Sequence, residues 1–349
     1  MFQPSQYTSG PASTERIAFF LVPKFSMIAF TAALEALRLA NRLSGKALYS
    51  WHVVSKDGKP VEASNGLMLM ADHALDALDR FPTAILCSGI DAHLYRDEGV
   101  FARLRRLARQ GVEIGAVCTG SHVLARAGLL QGYRCTIHWE NLGSFTEEFP
   151  DIEVSSELIE VDRDRFTCAG GIAAADLMLH AIAQRHGQEL AAAISDQFIL
   201  DRIRDPHDPQ RVPLRARLGI GHPKLVEVVA QMEASQEEPL AHEELARRVG
   251  LSRRQLERLF RRFLKTTPGH YYLKLRLTRA RLLLTQTTMA VIDVALACGF
   301  VSASHFSKCY RDFHGRTPRE ERRALEAAMG AEPEARGQLR LEMPGARGR

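Results

Sequence analysis

Paired metal-ligand motifs are missing from this 349-residue chain, as are long apolar runs, and tryptophan occurs only twice. The six cysteines (Cys87, Cys118, Cys135, Cys168, Cys298 and Cys309) are scattered, with no CxxC pair and no histidine cluster at ligand spacing. That pattern argues against a structural zinc and gives no disulfide framework, so neither metal nor cofactor is expected. The best apolar stretch is interrupted by Pro23, Lys24 and Glu35, well short of a membrane span. The first residues, MFQPSQYTSGPAST, are polar and lack the apolar centre of a signal peptide. A cytoplasmic chain without membrane contact is the expectation.

The net charge is only +5, but it is unevenly spread. Residues 241–325 hold 18 Lys and Arg against 7 Asp and Glu, leaving 28 basic and 34 acidic residues elsewhere. A basic module joined to an acidic body fits a polyanionic partner for one part alone. The length predicts two or three domains.

Periodicity divides the chain accordingly. Residues 1–14 read as a disordered leader. From residue 15 strands alternate with helices: IAFFLV (17–22), WHVVS (51–55), TAILCSG (83–89), VEIGAV (112–117) and RFTCAGG (165–171) are strand-like, and NGLMLMAD near Asn65 reads as part of a hairpin. Helical patterns fall at 26–43, 101–110 and 173–186. This alternation predicts an α/β sandwich with a mostly parallel sheet over residues 15–190. Four of the fifteen prolines crowd into RDPHDPQRVPLRARLGIGHP, and 191–221 reads as a helical, proline-containing linker. Residues 222–328 read as all-α, and 329–349 as a disordered tail.

Two segments of the helical part share one architecture. HEELARRVG (242–250) is followed by a turn, Ser252 as N-cap, and RRQLERLFRRF (253–263). VIDVALACGF (291–300) is followed by SASHFSKCYRDF (302–313). Each is helix, Gly-centred turn, helix, the geometry that presents a second helix to a major groove. Leu256, Leu259, Phe260 and Phe263, and Phe306, Tyr310 and Phe313, read as core. The helix expected between the units, 268–286, would be about 28 Å long at 1.5 Å per residue, near the roughly 34 Å of one DNA turn. This region resembles the AraC/XylS family DNA-binding domain through LSRRQLERLFRRFLKTTPGHYYLKLRLTRARLLL and VALACGFVSASHFSKCYRDFHGRTPRE. The resemblance implies that Arg253, Arg254, Glu257 and Arg258, and Ala303, Ser304, Ser307 and Lys308, approach double-stranded operator DNA.

In GAVCTGSHVLARAGLL (115–130) a strand delivers Cys118 to a sharp turn that opens a helix. Such a setting would lower the thiol pKa and create a nucleophile, with His138 and Glu35 as companions. The alternatives are an inert buried cysteine, a Cys118-dependent hydrolase or amidotransferase-like enzyme, and a thiol redox sensor. AVCTGSH resembles the elbow of the PfpI-type, class I glutamine-amidotransferase-like fold, which is flavodoxin-like. Joined to the AraC-type module, it is similar to the GlxA family of regulators, in which this fold serves as a small-molecule sensor rather than an enzyme. FSMIAFTAALEALRLANRL, RCTIHWENL and RLGIGHPKL resemble the subgroup sensing glycine betaine, carnitine or related amines. The effector site is expected at Phe25, Ser26, Met27, Glu35, Cys118, Thr119, His138 and Trp139, with Trp139 and Phe25 as an aromatic wall for a quaternary ammonium. A homodimeric activator of amine or amino-acid catabolism genes that meets RNA polymerase is the implied function.

Overall fold

The computed structural model describes residues 14–330, in two compact units divided between Val226 and Glu227. In the first unit, β1 (Glu15–Leu21), β2 (Tyr49–Val54), β5 (Thr83–Ser88), β6 (Glu113–Cys118), β9 (Ile159–Asp162) and β10 (Arg165–Cys168) form one sheet in the order β2-β1-β5-β6-β10-β9. Every pairing is parallel except that of β9 with β10. The apolar run of β1 serves two cores by simple alternation. Ile17, Phe19 and Leu21 face one, and Ala18 and Phe20 the other.

The first face is covered by α1 (Met27–Ser44), α5 (Ala173–His186) and α6 (Gln188–Gln197). Ser26 caps α1 by accepting from the Ala29 amide at 3.4 Å, and the alanines Ala29, Ala33, Ala36 and Ala40 let the helix lie close on the sheet. The second core gathers residues of α2 (Glu98–Arg109), α3 (Gly120–Arg126) and α4 (Leu142–Glu148). The hairpin expected near Asn65 is present as β3 (Val61–Glu62) and β4 (Met68–Leu69). Two three-residue strands, β7 (Arg134–Thr136) and β8 (Glu153–Ser155), pair separately and in parallel.

The expected helical and proline-containing linker at 191–221 lies against the first unit over its earlier part. Its first residues belong to α6, which packs on α1 and α5. Beyond α6 the chain returns to the sheet margin, where the Leu158 and Ile159 amides donate to the Asp208 and Pro206 carbonyls. Proline spacing signals the lack of regular structure there but carries no sign of these contacts. The helix α7 (Leu214–Leu218) follows, and α8 (Pro223–Ala234) spans the division between the units. The expected leader lies outside the described residues except for Thr14, and the expected tail lies outside them beyond residue 330.

The second unit continues with α9 (His242–Arg248), α10 (Arg253–Leu259), a π-helical turn at Phe260–Leu264, α11 (Pro268–Gln286), α12 (Val291–Ala297), α13 (Ala303–His314) and α14 (Pro318–Gly330). Leu277, Leu284, Val294, Phe300, Phe306 and Tyr310 make its inner cluster. Phe313, expected in that core, is instead 37% exposed and meets the His314 ring edge-on at 4.8 Å, while His314 takes the inward place beside Tyr310. No helix among the described residues is long and apolar enough to cross a membrane.

Candidate effector site and DNA-binding surface

Parallel strands deliver their carboxyl ends to one margin of the sheet, where open α/β folds hold ligands. Ser88 and Cys118 are register partners on β5 and β6 at that margin. Cys118 has φ +60, a left-handed conformation that non-glycine residues adopt rarely and at a cost. The turn is held by its neighbours: the Thr119 hydroxyl donates to the Gly89 carbonyl at 2.6 Å, and the Ser26 amide donates to the Ser88 carbonyl at 3.2 Å. Gly170 closes the other side. With φ +86, a Cβ on it would lie 2.5 Å from the Cys118 Cβ and 3.0 Å from its Sγ.

This enclosure reverses the expectation of an activated thiol. Burial pushes the Cys118 pKa up to about 11, against hydrogen bonds from the Thr119 backbone and from the Ser26 side chain. A seven-residue α3 beginning at Gly120 does not overcome that desolvation. Among the described residues no hydrogen bond joins His138 to this sulfur, and burial lowers the His138 pKa while Glu140 opposes the shift. The Glu140 amide donates to His138 Nδ1 at 3.4 Å, which occupies that ring nitrogen.

The structure brings Ser26, Cys118 and Thr119 together and places the other expected effector residues differently. Phe25 is fully buried, edge-on to Phe30 at 5.8 Å between ring centres, so it supports the site from beneath rather than lining it. Met27 is half-buried and packs on the first core. Glu35 lies nine residues beyond Ser26, about 13 Å along the helix, and its carboxylate is held by Arg38 at 2.6 Å. Trp139 is 41% exposed, with its ring centre 5.5 Å from that of His138.

Sequence reasoning missed the residues that meet Trp139. The Arg211 guanidinium sits 4.4 Å from the indole centroid, and the adjacent Gln210 Nε2 lies 2.9 Å from Thr136 Oγ1 and from the Ile137 and Glu157 carbonyls. Glu140, which acts electrostatically on both Cys118 and His138, was also passed over. Its place beside Trp139 in TIHWEN was the available signal.

On the second unit both expected helix-turn-helix pairs form. Ser252 and Gln255 make a reciprocal capping box at the start of α10, and Ser302 caps α13 by accepting from the His305 amide at 3.3 Å. Arg254 and Arg258 are exposed and make no ion pair among the described residues. Arg253 differs: it bridges Glu243 of α9 at 2.6 Å and Glu257 of its own helix at 3.1 Å, so it ties α10 to α9. On α13, Ser304 and Lys308 are exposed, and Ala303 and Ser307 half-buried. Ala303, Ser304 and Ser307 line a concavity of about 640 Å³ with Ile292, Thr317 and Arg319. Exposed donors on the leading face of a capped second helix suit base edges and phosphates.

Known proteins carry the same two parts. Residues 15–184 match the DJ-1/PfpI family, and residues 245–324 match a helix-turn-helix domain. The chain is 52% identical to the HTH-type transcriptional regulator GbdR of Pseudomonas aeruginosa over 310 residues, covering 88% of this chain and 84% of that protein. It is 47% identical to the HTH-type transcriptional regulator CdhR of the same species over 88% of this chain and 91% of that protein. To the HTH-type transcriptional regulator ArgR, also from that species, it is 42% identical over 89% of this chain and 94% of that protein. All three are named for regulating transcription and none for catalysis. The chain belongs to the family of HTH-type transcriptional regulators that join a DJ-1/PfpI domain to an AraC-type helix-turn-helix domain.

Proposed function

We propose that this regulator is an activator of amine or amino-acid catabolism genes whose first unit senses a methylated amine such as glycine betaine or carnitine. Its second unit meets operator DNA through α10 and α13, with Arg254 and Arg258 on the first and Ser304, Ser307 and Lys308 on the second. The observation that carries the DNA contact is the pair of capped helix-turn-helix units, joined by the 19-residue α11, with those donors outward. The cationic effector is supported by an exposed indole that already holds a guanidinium at 4.4 Å, and by the Glu140 carboxylate next to it in sequence. The cytoplasm is the working compartment, a homodimer the working form, and RNA polymerase the partner at the promoter.

A DNA-bound regulator responds to an effector only if the effector binds one state more tightly than the other. The test is a titration of the full chain on its own promoter DNA at several salt concentrations, with and without glycine betaine, carnitine and arginine. The expected result is salt-dependent binding to that DNA, with operator affinity or occupancy changed by one of the amines. Binding that ignores every amine would overturn the effector assignment. Absence of salt-dependent binding would overturn the DNA assignment.

A further inference from the structure

The chain leaving α6 is fastened to the first unit along its whole course to Arg211. Its root is strong. The buried Asp176 carboxylate accepts from the Arg204 side chain at 2.6 and 3.0 Å, and from its backbone amide at 3.0 Å. Next, Pro206 and Asp208 take the Ile159 and Leu158 amides, and His207 Nδ1 pairs with Glu157 at 2.6 Å. Gln210 reaches back to Thr136, Ile137 and Glu157, while its Oε1 is buried without a partner among the described residues. The tip is Arg211, itself exposed, lying over Trp139.

Building on the effector reading above, we propose that Arg211 is the resident occupant of the effector's cation subsite and that a bound cation displaces it. Both cations draw on the same indole. Arg211 covers one face of the indole, and the His138 ring, tilted by 38° at 5.5 Å, neighbours it from the chain side. Two cations sharing the remaining surface would also repel each other. Displacement loosens residues 205–211 from the tip while the Asp176–Arg204 root holds. Gln210 follows, because its partner Ile137 lies two residues before Trp139 and its orphaned oxygen gains water on leaving. The segment freed is the one that runs on to α7, so effector binding at Trp139 loosens the stretch of chain ahead of that helix. Arg211 thereby sets effector affinity and converts occupancy into a mechanical change.

The test compares the full chain with Arg211→Ala and Arg211→Lys, titrated with glycine betaine and carnitine by calorimetry. Hydrogen exchange of the Leu158 and Ile159 amides, which donate to carbonyls of the 205–211 segment, is followed in parallel. Removing a competing cation–π contact is expected to tighten amine binding by about 2- to 30-fold in Arg211→Ala, with Arg211→Lys between it and the parent. In the parent, saturating amine is expected to raise exchange at Leu158 and Ile159, and in Arg211→Ala that exchange is already raised without amine. Amine binding that is equal in parent and Arg211→Ala, or exchange unmoved by amine, overturns this inference and leaves the effector reading standing. Binding of neither amine to either protein overturns both. Should Arg211→Ala prove unstable, the exchange measurement on the parent decides alone.

Discussion

The Arg276 guanidinium of α11 lies 4.2 Å from the centre of the Phe300 ring while its Nε and Nη2 donate to the Cys298 and Gly299 carbonyls, both at 2.7 Å. One side chain thus closes the carboxyl end of α12 and fixes the turn that aims α13. Carbonyls at a helix end lack intrahelical partners, and a cation there is favoured by the helix dipole as well as by the hydrogen bonds. Arg276→Ala is expected to destabilise the second unit by about 2–3 kcal/mol, since two charge-assisted bonds and a stacked plane are lost together. Urea unfolding of the full chain measures it. A midpoint equal to that of the parent would refute the bracing role. Lysine at 276 cannot reproduce the fork and is expected to restore only part of the loss.

On the DNA face, Arg258 and Arg253 are expected to behave differently although both are exposed arginines of one helix. Arg258→Ala removes an unpaired donor and is expected to weaken operator binding by about 1–3 kcal/mol and to relax preference at one base position. Arg253→Ala breaks the bridge between Glu243 and Glu257 and is expected to leave base preference unchanged. Binding curves against single-base operator variants at constant salt separate the two. Equal profiles for both variants would remove Arg258 from the reading set.

The raised thiol pKa predicts slow chemistry at Cys118. With a folded value near 11, against an ordinary 9.0, the neutral thiol prevails at physiological pH. Iodoacetamide at pH 7.5 is therefore expected to label the half-buried Cys309 well before Cys118. Because the folded pKa is the higher one, the contribution of the neutral thiol to stability is complete below pH 9 and is lost as pH rises through about 11. Peptide mapping of the labelled chain checks the order. Rapid modification of Cys118 at neutral pH would restore the nucleophile.

His207 makes the sheet-margin contact sensitive to pH. Its pKa is raised by the hydrogen bond and charge of Glu157, and further by Asp205 and Glu160, although Arg134 pairs with Glu160 at 3.1 Å. A raised folded value means the ion pair stabilises fully below the ordinary value of 6.5 and is lost as pH rises through the higher folded value. Exchange of the Leu158 and Ile159 amides, which donate to the Asp208 and Pro206 carbonyls, corrected for its intrinsic pH dependence, is expected to be slower at pH 6 than at pH 8.5. His207→Gln is expected to abolish the difference. Protection that is flat with pH in the parent would disprove the link.

How much of this was legible in advance follows from where the signals are local. The strands at 17–22, 83–89 and 112–117 announce themselves because burial on both faces leaves an unbroken apolar run. The hairpin at Asn65-Gly66 and the turns at Gly250 and Gly299 are set by residues that tolerate positive φ. Ser252 and Ser302 mark helix starts by chemistry alone. What remained hidden depends on distant partners. Glu35 looked free for a ligand, but its i+3 neighbour Arg38 takes it. Phe25 looked like a wall until Phe30 and the sheet enclosed it. The three-residue strands β7 and β8 are too short for any period to show. Nothing in RDPHDPQR reveals that two of its carbonyls meet Leu158 and Ile159, since a backbone acceptor has no side-chain signature.

That last contact has a consequence for how the molecule keeps company with its copies. β9 is the terminal strand of the sheet, and an uncovered terminal strand is a template on which another chain can add. At the start of that strand residues 206–208 act as a cover, occupying the Leu158 and Ile159 amides with the molecule's own carbonyls. A chain cut before Arg204 would leave those two amides bare permanently and should clump at concentrations where one cut after Arg211 stays dispersed.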